Sequence, residues 1–526
     1  MTVAWQFARS TLLINKEMIN LRIDNKEIEV PAGTILIEAA RQNGVYIPSL
    51  CYNSDLPHYS SCMVCIVKDI KADKFIPSCS ALAEQGMEIE ATGGDVLKLR
   101  RNALSMLLSE HRAECEAPCR LVCPAGLNIP VLNRYLAASE IDKSGELAFL
   151  DMGLPASTCR LCPRYCENAC RRKMIDHKIA ISALVTNSSF AYDIKNFMPG
   201  SYKGKNIAVV GGGSSGLITA FNLTVDGYNC EIFEKEEFAG GSIITEFEEK
   251  KFPVKLAEDE IKRLLSTGIK INYNVAVNEE YITNRLIKEY DIIILASSQK
   301  PAIKGVTITD GFLRFEGDTM VLEGKYIFAV GGAAKESRQI VRRIGQAKKA
   351  AREISRFLAT GELKGMPKRF NSIIGKIGDN EKLEWLKECP ETSERYNEPA
   401  GIDENIREAE NCLHCDCRAA SGCRFRDLCT NMELKNPGVK HTAYPIEKKI
   451  DFLNKVIFEH AKCIKCGLCV RVMDGKTNDP SLCFTGRGFM SIISEPLDYS
   501  FDDISGKDID KAIDICPTGA LTGKKG

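Results

Sequence analysis

The 526-residue chain carries no net charge, because 70 Lys and Arg offset 70 Asp and Glu. A balance of that kind points away from a nucleic-acid or membrane surface as partner. No apolar run approaches the length of a membrane span, and Ile292–Ala296 is only a short strand core. Met1–Arg22 lacks a basic start, a long apolar run and a small-residue cleavage site, so no signal peptide is expected. The 23 cysteines are an odd number in a large chain without an export signal. That combination disfavours a disulfide framework and suits metal ligation in a reducing cytoplasm. Hydrophobic content of 44% and charged content of 27% are those of a soluble globular protein, and the length predicts three to five domains.

What the chain has instead is cysteine in five tight groups. They are Cys51/Cys62/Cys65/Cys79, Cys115/Cys119/Cys123, Cys159/Cys162/Cys166/Cys170, Cys412/Cys415/Cys417/Cys423/Cys429, and Cys463/Cys466/Cys469 with the distant Cys516. Thiolates separated by two or three residues converge on one metal centre. Structural zinc uses paired Cys-x2-Cys motifs split by a loop, whereas runs of three or four cysteines suit a cubane iron–sulfur cluster. Zinc stays open as the alternative, most of all at Cys412/Cys415/Cys417/Cys423, where Cys429 is a substitute or bystander and His414 is exposed or supports a ligand. Cys230, Cys389 and Cys483 read as structural thiols.

The pattern between these groups is mixed. Ile19–Val30 reads as two strands around Asp24-Asn25, and Ile35–Asn43 as a helix. Asp95–Ser109 and Pro130–Leu150 read as helical. Strands are expected at Lys205–Val210, Asn229–Phe233, Ile269–Val277, Asp291–Ala296 and Tyr326–Val330, with a helix over Gln339–Leu358. The expected domains are 18–95, 96–200, 201–362, a linker over 363–400, a cysteine-rich segment over 401–445, and 446–526.

Lys205–Glu234 runs strand, Gly-x-Gly-x-x-Gly, helix, strand, acidic end. Gly211 permits a tight turn, Gly213 lets backbone approach a pyrophosphate at the helix N-terminus, and Gly216 allows close helix–strand packing. Ser214 and Ser215 open that helix. Glu234 is placed to accept from ribose hydroxyls, with Lys235, Gly241 and Gly332 as further cofactor contacts. A glycine-lined helix start used only for packing is the bland alternative.

Cys51-x10-Cys62-x2-Cys65-x13-Cys79 resembles the [2Fe–2S] ferredoxin-like domain of the large iron–sulfur subunit of respiratory NADH dehydrogenase and of NAD-linked iron-only hydrogenases. One departure is Ser60-Ser61-Cys62-Met63, where an arginine usually follows the cysteine. Its loss alters the local field and removes no ligand. Cys119–Pro130, the four cysteines Cys159–Cys170 and the glycine motif resemble the small subunit of bacterial glutamate synthase, which holds two [4Fe–4S] clusters in a helical domain. Leu107-Leu108-Ser109-Glu110-His111 resembles the hydrogenase pattern, in which a histidine ligates a cluster. Seven cysteines are at hand for the eight ligands two cubanes need, so His111 is the expected eighth. The resemblance assigns Cys123, Cys159, Cys166 and Cys170 to one cluster. It assigns His111, Cys115, Cys119 and Cys162 to the other. An imidazole ligand would make that cluster less negative and easier to reduce. The competing reading of His111 is a solvent-facing residue at a helix end.

The glutamate synthase family inserts an NADPH domain after the strand corresponding to Asp291–Ala296. Here only about 30 residues follow Ala296 before Tyr326, roughly one βαβ unit, so no such domain is expected. Two flavin-side motifs depart, reading Ala296-Ser297-Ser298 and Gly331-Gly332-Ala333. FAD is the expected cofactor, and a Rossmann scaffold without flavin is the alternative. Cys463-x2-Cys466-x2-Cys469 with Cys516-Pro517 follows bacterial ferredoxin spacing. Together with Phe484-x-Gly486-Arg487-Gly488-Phe489 and Pro517-Thr518-Gly519-Ala520-Leu521, it resembles NAD-linked hydrogenase and NADH dehydrogenase subunits.

The expected architecture is multidomain α/β and α+β. It comprises a β-grasp [2Fe–2S] domain, a helical double-[4Fe–4S] domain, a Rossmann-like FAD domain and a C-terminal ferredoxin-like domain. The expected complement is one [2Fe–2S], four [4Fe–4S] and FAD. The resemblances imply an electron-transfer subunit of a soluble, cytoplasmic, NAD-linked oxidoreductase complex. Hydrogenases and formate dehydrogenases of anaerobic metabolism, electron-bifurcating ones among them, are the models. Its partners would be an FMN- and NADH-binding diaphorase-type subunit, ferredoxin, and a hydrogenase or formate dehydrogenase catalytic subunit. No catalytic acid, base or nucleophile is visible, as the cofactors carry the chemistry. A self-sufficient NAD(P)H-dependent oxidoreductase of the glutamate synthase small-subunit type is the second reading, and a zinc-bearing scaffold the third.

Overall fold

The computed structural model describes residues 17–297, 320–322, 325–333, 337–362, 368–391, 394–436, 444–452, 456–473, 480–504 and 508–523. The chain forms two compact units. One comprises Met1–Cys115, Lys368–Glu384 and Cys417–Gly526, and the other Glu116–Pro367 and Trp385–Asp416.

In the first unit, Met18–Ile23 and Lys26–Pro31 form an antiparallel pair running from Met18 opposite Pro31 to Ile23 opposite Lys26. Strict alternation sends Ile19, Leu21 and Ile23 inward, together with Ile28 and Val30. Asp24 makes the turn at φ 51°, a left-handed conformation that Asp tolerates. Glu88–Glu90 lies parallel to the first strand, and Ile66–Asp69 and Lys74–Pro77 complete five strands. The helix Leu36–Gln42 buries Leu36, Ile37, Ala39 and Ala40 in the same core. Cys65 and Cys79 belong to that core as well.

The helix Gly94–Glu110 buries Val96, Leu104 and Leu108, and ends at His111. The last part of the unit holds an antiparallel sheet of Lys448–Asp451, Val456–Glu459 and Leu521–Gly523. A hairpin of Cys483–Thr485 and Ile492–Ser494 lies in the same part. So do the helices Leu468–Met473 and Ile509–Ile515.

The second unit begins with short helices. Three of them, Pro118–Val122, Ile129–Ala137 and Pro155–Leu161, have proline in the first turn, where its missing N–H costs nothing. The helical stretch expected over Pro130–Leu150 is two helices, Ile129–Ala137 and Ile141–Met152, separated where Ser139 turns left-handed at φ 58°. A six-stranded sheet follows, in the order Met320–Leu322, Lys325–Ala329, Ile292–Leu295, Asn206–Val210, Asn229–Phe233, Lys270–Asn272. The last five strands are parallel to one another, and Met320–Leu322 is antiparallel. All four residues of Ile292–Leu295 are buried, as befits a strand covered on both faces. The strand expected over Ile269–Val277 shortens to Lys270–Asn272, because Asn274 leaves the extended region at φ 58°. The helices Ser214–Val225 and Ile340–Thr360 pack on this sheet through Leu217, Phe221, Ile344 and Ala351.

Candidate metal centres and nucleotide cleft

Four buried thiols gather at the edge of the first five-stranded sheet. Cys65 Sγ lies 3.0 Å from Cys79 Sγ, and Cys51 is hydrogen-bonded to Cys62 and Cys79. The bonds from Cys62 and Cys79 hold the Cys51 thiol far below its ordinary range, while Cys62 and Cys79 rise in return. Cys65 falls to about 7, mainly through its bond with Cys79. The loop that lacks arginine supplies hydroxyls: Ser60 Oγ is 3.4 Å from Cys79 Sγ and 3.0 Å from Ser80 Oγ.

Cys463, Cys466, Cys469 and Cys516 line one cavity of the same unit. Burial pushes the Cys463 thiol up to about 12 and raises Cys466 and Cys469 as well. Arg471, itself buried, ties this loop to the previous one. Its Nη2 donates to the Cys51 carbonyl at 2.6 Å and to the Cys466 carbonyl at 3.4 Å, and its Nη1 to the Pro57 carbonyl at 2.6 Å.

A third gathering in this unit was not foreseen. Cys115 sits with Cys417, Cys423 and Cys429, all four buried. The Cys417 N–H donates to the Cys115 carbonyl at 3.2 Å. Burial pushes Cys417 up to about 11 and Cys423 to about 12, and the charge of Cys115 adds to both. Cys429, expected to be a substitute or bystander, is fully buried and feels the charge of Cys423 and Cys115. The wall towards Cys516 is shared: Phe425 N donates to the Pro517 carbonyl at 3.1 Å, and Cys423 Sγ is 3.6 Å from that oxygen. Leu50, Leu104, Leu108, Phe370, Phe425 and Leu428 form one apolar core that also contains Cys51, Cys62, Cys423, Cys429 and Cys466.

In the second unit, Cys119, Cys170, Cys412 and Cys415 line one cavity. Burial pushes Cys412 up to about 12, against the pull of a hydrogen bond from the Asn133 side chain, and the charge of Cys170 adds to it. Burial also raises Cys119, with Cys412, Cys415, Cys170 and, last, Cys166 adding their charge. Cys123, Cys159, Cys162 and Cys166 form the remaining gathering. Cys159 is raised by burial and by Cys166, Cys123 and Cys162 around it, and Cys166 by burial and then Cys123.

Two expected groupings are therefore corrected. Cys170 leaves the set with Cys123, Cys159 and Cys166, and Cys162 takes its place. The run Cys412–Cys429 does not share one site, since Cys412 and Cys415 face Cys119 and Cys170 while Cys417, Cys423 and Cys429 face Cys115. His111 is not exposed, so its competing reading as a solvent-facing helix-end residue does not hold. It is buried, donates from Nδ1 to the Lys462 carbonyl at 2.9 Å, and lies edge-on to Phe425 with ring centroids 5.2 Å apart. Burial lowers its pKa to about 4, so the ring is neutral. The physical reason for the regrouping is long-range: the Arg134–Asp416 ion pair holds the segment with Cys412 and Cys415, and the Cys417 N–H bonds the Cys115 carbonyl. Proximity in sequence therefore does not sort the thiols of a run.

A large cleft of about 1140 Å³ opens beside the six-stranded sheet. Gly211, Gly213, Ser214 and Ser215 line its floor at the start of the helix Ser214–Val225. Glu234, Lys235, Gly241 and Gly332 line its sides, with Arg338 and Arg343. Gly216 does not line it: a Cβ there would sit 1.9 Å from the Gly211 carbonyl oxygen, so it serves packing. A Cβ on Gly213 would meet no protein atom within 4 Å, so its bareness serves whatever enters the cleft. Glu234 already accepts from Gly212 N at 2.5 Å and Glu236 N at 3.0 Å, which fixes its carboxylate at the strand end. Ser297 also lines the cleft, while Ser298 lies outside the described residues.

These arrangements fit iron–sulfur clusters and a dinucleotide. Outside the Cys51 set, burial makes bare thiolates unfavourable at Cys119, Cys159, Cys412, Cys423, Cys463 and their raised neighbours, and a bound metal centre offsets that cost. Four thiolates per site is the donor set of such clusters. A helix N-terminus with bare backbone suits a pyrophosphate.

Four family models match in register with these sites. The 2Fe-2S iron-sulfur cluster binding domain matches residues 16–94, and the dihydropyrimidine dehydrogenase domain II, 4Fe-4S cluster, matches 106–196. The NAD(P)-binding Rossmann-like domain matches 209–257, and the ferredoxin-like domain of NADH-quinone oxidoreductase subunit 3 matches 454–522. The chain thus combines 2Fe–2S, 4Fe–4S ferredoxin-like and Rossmann-like NAD(P)-binding domains in a mixed α/β architecture. Among curated relatives, the NADPH-Fe(3+) oxidoreductase subunit beta of Geobacter sulfurreducens is 31% identical over 34% of this chain and 28% of its own length. The NADP(+)-dependent formate dehydrogenase subunit beta of Moorella thermoacetica is 27% identical over 41% of this chain and 36% of its own. A solved NAD+-reducing [NiFe]-hydrogenase is 28% identical over 18% of this chain and 39% of that one, with a TM-score of 0.17. The chain spans about a third of the length of the two curated relatives. Both are oxidoreductase subunits. Among the described residues no helix is long and apolar enough to cross a membrane.

Proposed function

We propose that this chain is an electron-transfer iron–sulfur flavoprotein subunit of a cytoplasmic, multi-subunit NAD-linked oxidoreductase. It would relay electrons between an FMN- and NADH-binding partner and ferredoxin, or a hydrogenase or formate dehydrogenase catalytic subunit, and bifurcation belongs to this reading. The carrying observation is that twenty of the 23 cysteines stand in gatherings of four, three of which border one apolar core. Its complement would be one [2Fe–2S] on Cys51, Cys62, Cys65 and Cys79, four [4Fe–4S], and FAD in the cleft. The finer architecture belongs to the same proposal. It comprises a β-grasp domain over 18–95, a helical domain over 96–200 holding one whole cluster and contributing cysteines to two others, and a Rossmann-like FAD domain over 201–362 without an inserted NADPH domain. The linker 363–400, the cysteine-rich segment 401–445 and the bacterial-ferredoxin-like domain 446–526 complete it.

The cofactors supply the one-electron and hydride chemistry. The chain's own groups hold and insulate. Leu50, Leu104, Leu108 and Phe425 exclude water around the first-unit thiols. Arg471 fixes two cysteine loops through their carbonyls. Gly211 and Gly213 leave the helix start open to a pyrophosphate.

Anaerobic purification with iron, acid-labile sulfide, zinc and flavin assays tests this reading. Coloured protein with paramagnetic signals after dithionite is expected. Zinc without sulfide would end the electron-transfer reading. The NAD(P)-binding match over 209–257 favours one second reading, a self-sufficient NAD(P)H-dependent oxidoreductase. Rapid bleaching of the isolated chain by NADPH alone would establish that instead.

A further inference from the structure

The cysteine run Cys412–Cys429 lies more than two hundred residues after the middle cysteines, yet its thiols do not stay together. Cys412 and Cys415 line a cavity whose other thiols are Cys119 and Cys170. Cys119 registers the charge of Cys412 and Cys415, and Cys412 that of Cys170, in keeping with the one cavity all four line. The approach is also built. Arg134 holds Asp416 through two bonds, at 2.9 and 3.0 Å, directly after Cys415. Arg172 Nη1 donates to the Asn411 carbonyl at 2.8 Å, directly before Cys412. The segment carrying both thiols is thus clamped at each end onto the helical region that carries Cys119 and Cys170. The remaining thiols of the run meet Cys115 in a buried setting of their own, with Cys417 N bonded to the Cys115 carbonyl.

We infer that Cys412 and Cys415 complete the cubane site begun by Cys119 and Cys170, and that Cys417, Cys423 and Cys429 join Cys115 in a separate one. This rests on the iron–sulfur reading above. It leaves Cys123, Cys159, Cys162 and Cys166 as a third set of four, and removes the need for His111 as a ligand. Cys115, Cys119 and Cys123, spaced by three residues each, thereby serve three different sites. No bond is made or broken beyond thiolate ligation, with each thiol proton released to solvent as the metal binds.

Single serine variants in the full chain, loaded anaerobically, test the inference by iron content and by paramagnetic signals followed through a dithionite titration. Cys119→Ser, Cys170→Ser, Cys412→Ser and Cys415→Ser are expected to abolish or shift one common signal. Each loses up to about four irons per chain, a cubane's complement. Cys115→Ser, Cys417→Ser, Cys423→Ser and Cys429→Ser are expected to affect a second, different signal. Cys230→Ser serves as the control that keeps both. If Cys412→Ser and Cys423→Ser remove the same signal while Cys119→Ser removes another, the inference is overturned. His111→Ala removing a signal would overturn it equally. Should one variant fail to accumulate, its three set-mates report on the same site. A wild-type chain with zinc and no sulfide would instead defeat the function proposed above, so the two failures are distinguishable.

Discussion

The guanidinium of Arg134 meets the Asp416 carboxylate as a fork, Nη1 to Oδ1 at 2.9 Å and Nη2 to Oδ2 at 3.0 Å. Only 11% and 6% of the two side chains are exposed, so water screens the pair little. Removing one partner of such a pair strands a buried charge and costs about 3–5 kcal/mol. Arg134→Ala is therefore expected to lower unfolding free energy by that order in anaerobic denaturant titrations. It should also reduce iron content, because the clamp beside Cys415 is lost. Arg134→Lys keeps the charge without the fork and should fall between the two.

Gly213 and Gly216 separate binding from folding. Ala at 216 would drive a methyl to 1.9 Å from the Gly211 carbonyl oxygen, with rigid backbone on the far side. Gly216→Ala should lower the melting temperature and expel the nucleotide together. Ala at 213 meets no protein atom and needs no change of φ from −73°. Gly213→Ala should melt like the wild type while binding FAD at least about tenfold more weakly, a loss of about 1.4 kcal/mol. Equal FAD affinity in that variant would show that no pyrophosphate lies over the turn.

Acid stability should depend on Asp176. Burial, the largest single influence, pushes its pKa up, but the Arg172 and Arg395 guanidiniums together pull it well below 3.8. A carboxylate depressed in the folded state stabilises above its unfolded pKa, and that contribution is lost as pH falls through the folded value. Asp176→Asn should thus be less stable than the wild type from neutral pH down to about pH 5. The gap should then narrow as pH drops below 3.8. A gap that stays constant into strong acid would contradict the assignment.

Arg471 should couple two cysteine loops. It bonds the carbonyls of Cys51 and Cys466 from one nitrogen. Arg471→Met keeps the bulk and removes both bonds. The signals of the Cys51 and Cys463 sites should change together, with little effect on Cys123-set signals. Change in only one of the two would show that the loops are held independently.

Removing the metal should destabilise the whole first unit rather than one loop. Cys51, Cys423, Cys429 and Cys466 are parts of a single apolar core with Leu104 and Phe425. Chelator treatment under mild acid is expected to raise hydrogen exchange in the helix Gly94–Glu110 as well as in the cysteine loops. Protection confined to its former level in that helix would argue that the core stands without metal.

Much of this was legible from residues alone. The spacing Cys51-x10-Cys62-x2-Cys65-x13-Cys79 announces one site, because all four thiols lie on neighbouring loops of one small sheet. The glycine motif announces its cleft for the same reason: strand, turn and helix N-terminus are consecutive, so their geometry is set by local backbone preferences. The hairpin at Asp24-Asn25 and the helix after Gln339 follow from short-range patterning as well. Partner choice among the other thiols is different in kind. Cys115, Cys119 and Cys123 look equivalent in a row, yet one faces Cys417, one Cys412 and one Cys159. No local rule separates them, since each destination is set by which distant segment the ion pair of Arg134, the bond of Arg172 and the packing of Phe425 bring alongside. The sequence by itself determined that the thiols come in metal-ligating groups and that a strand, a glycine turn and a helix start build a nucleotide-shaped turn. Only the tertiary structure decided which thiols share a space, because long-range packing and buried charge pairing, not spacing, choose the neighbours.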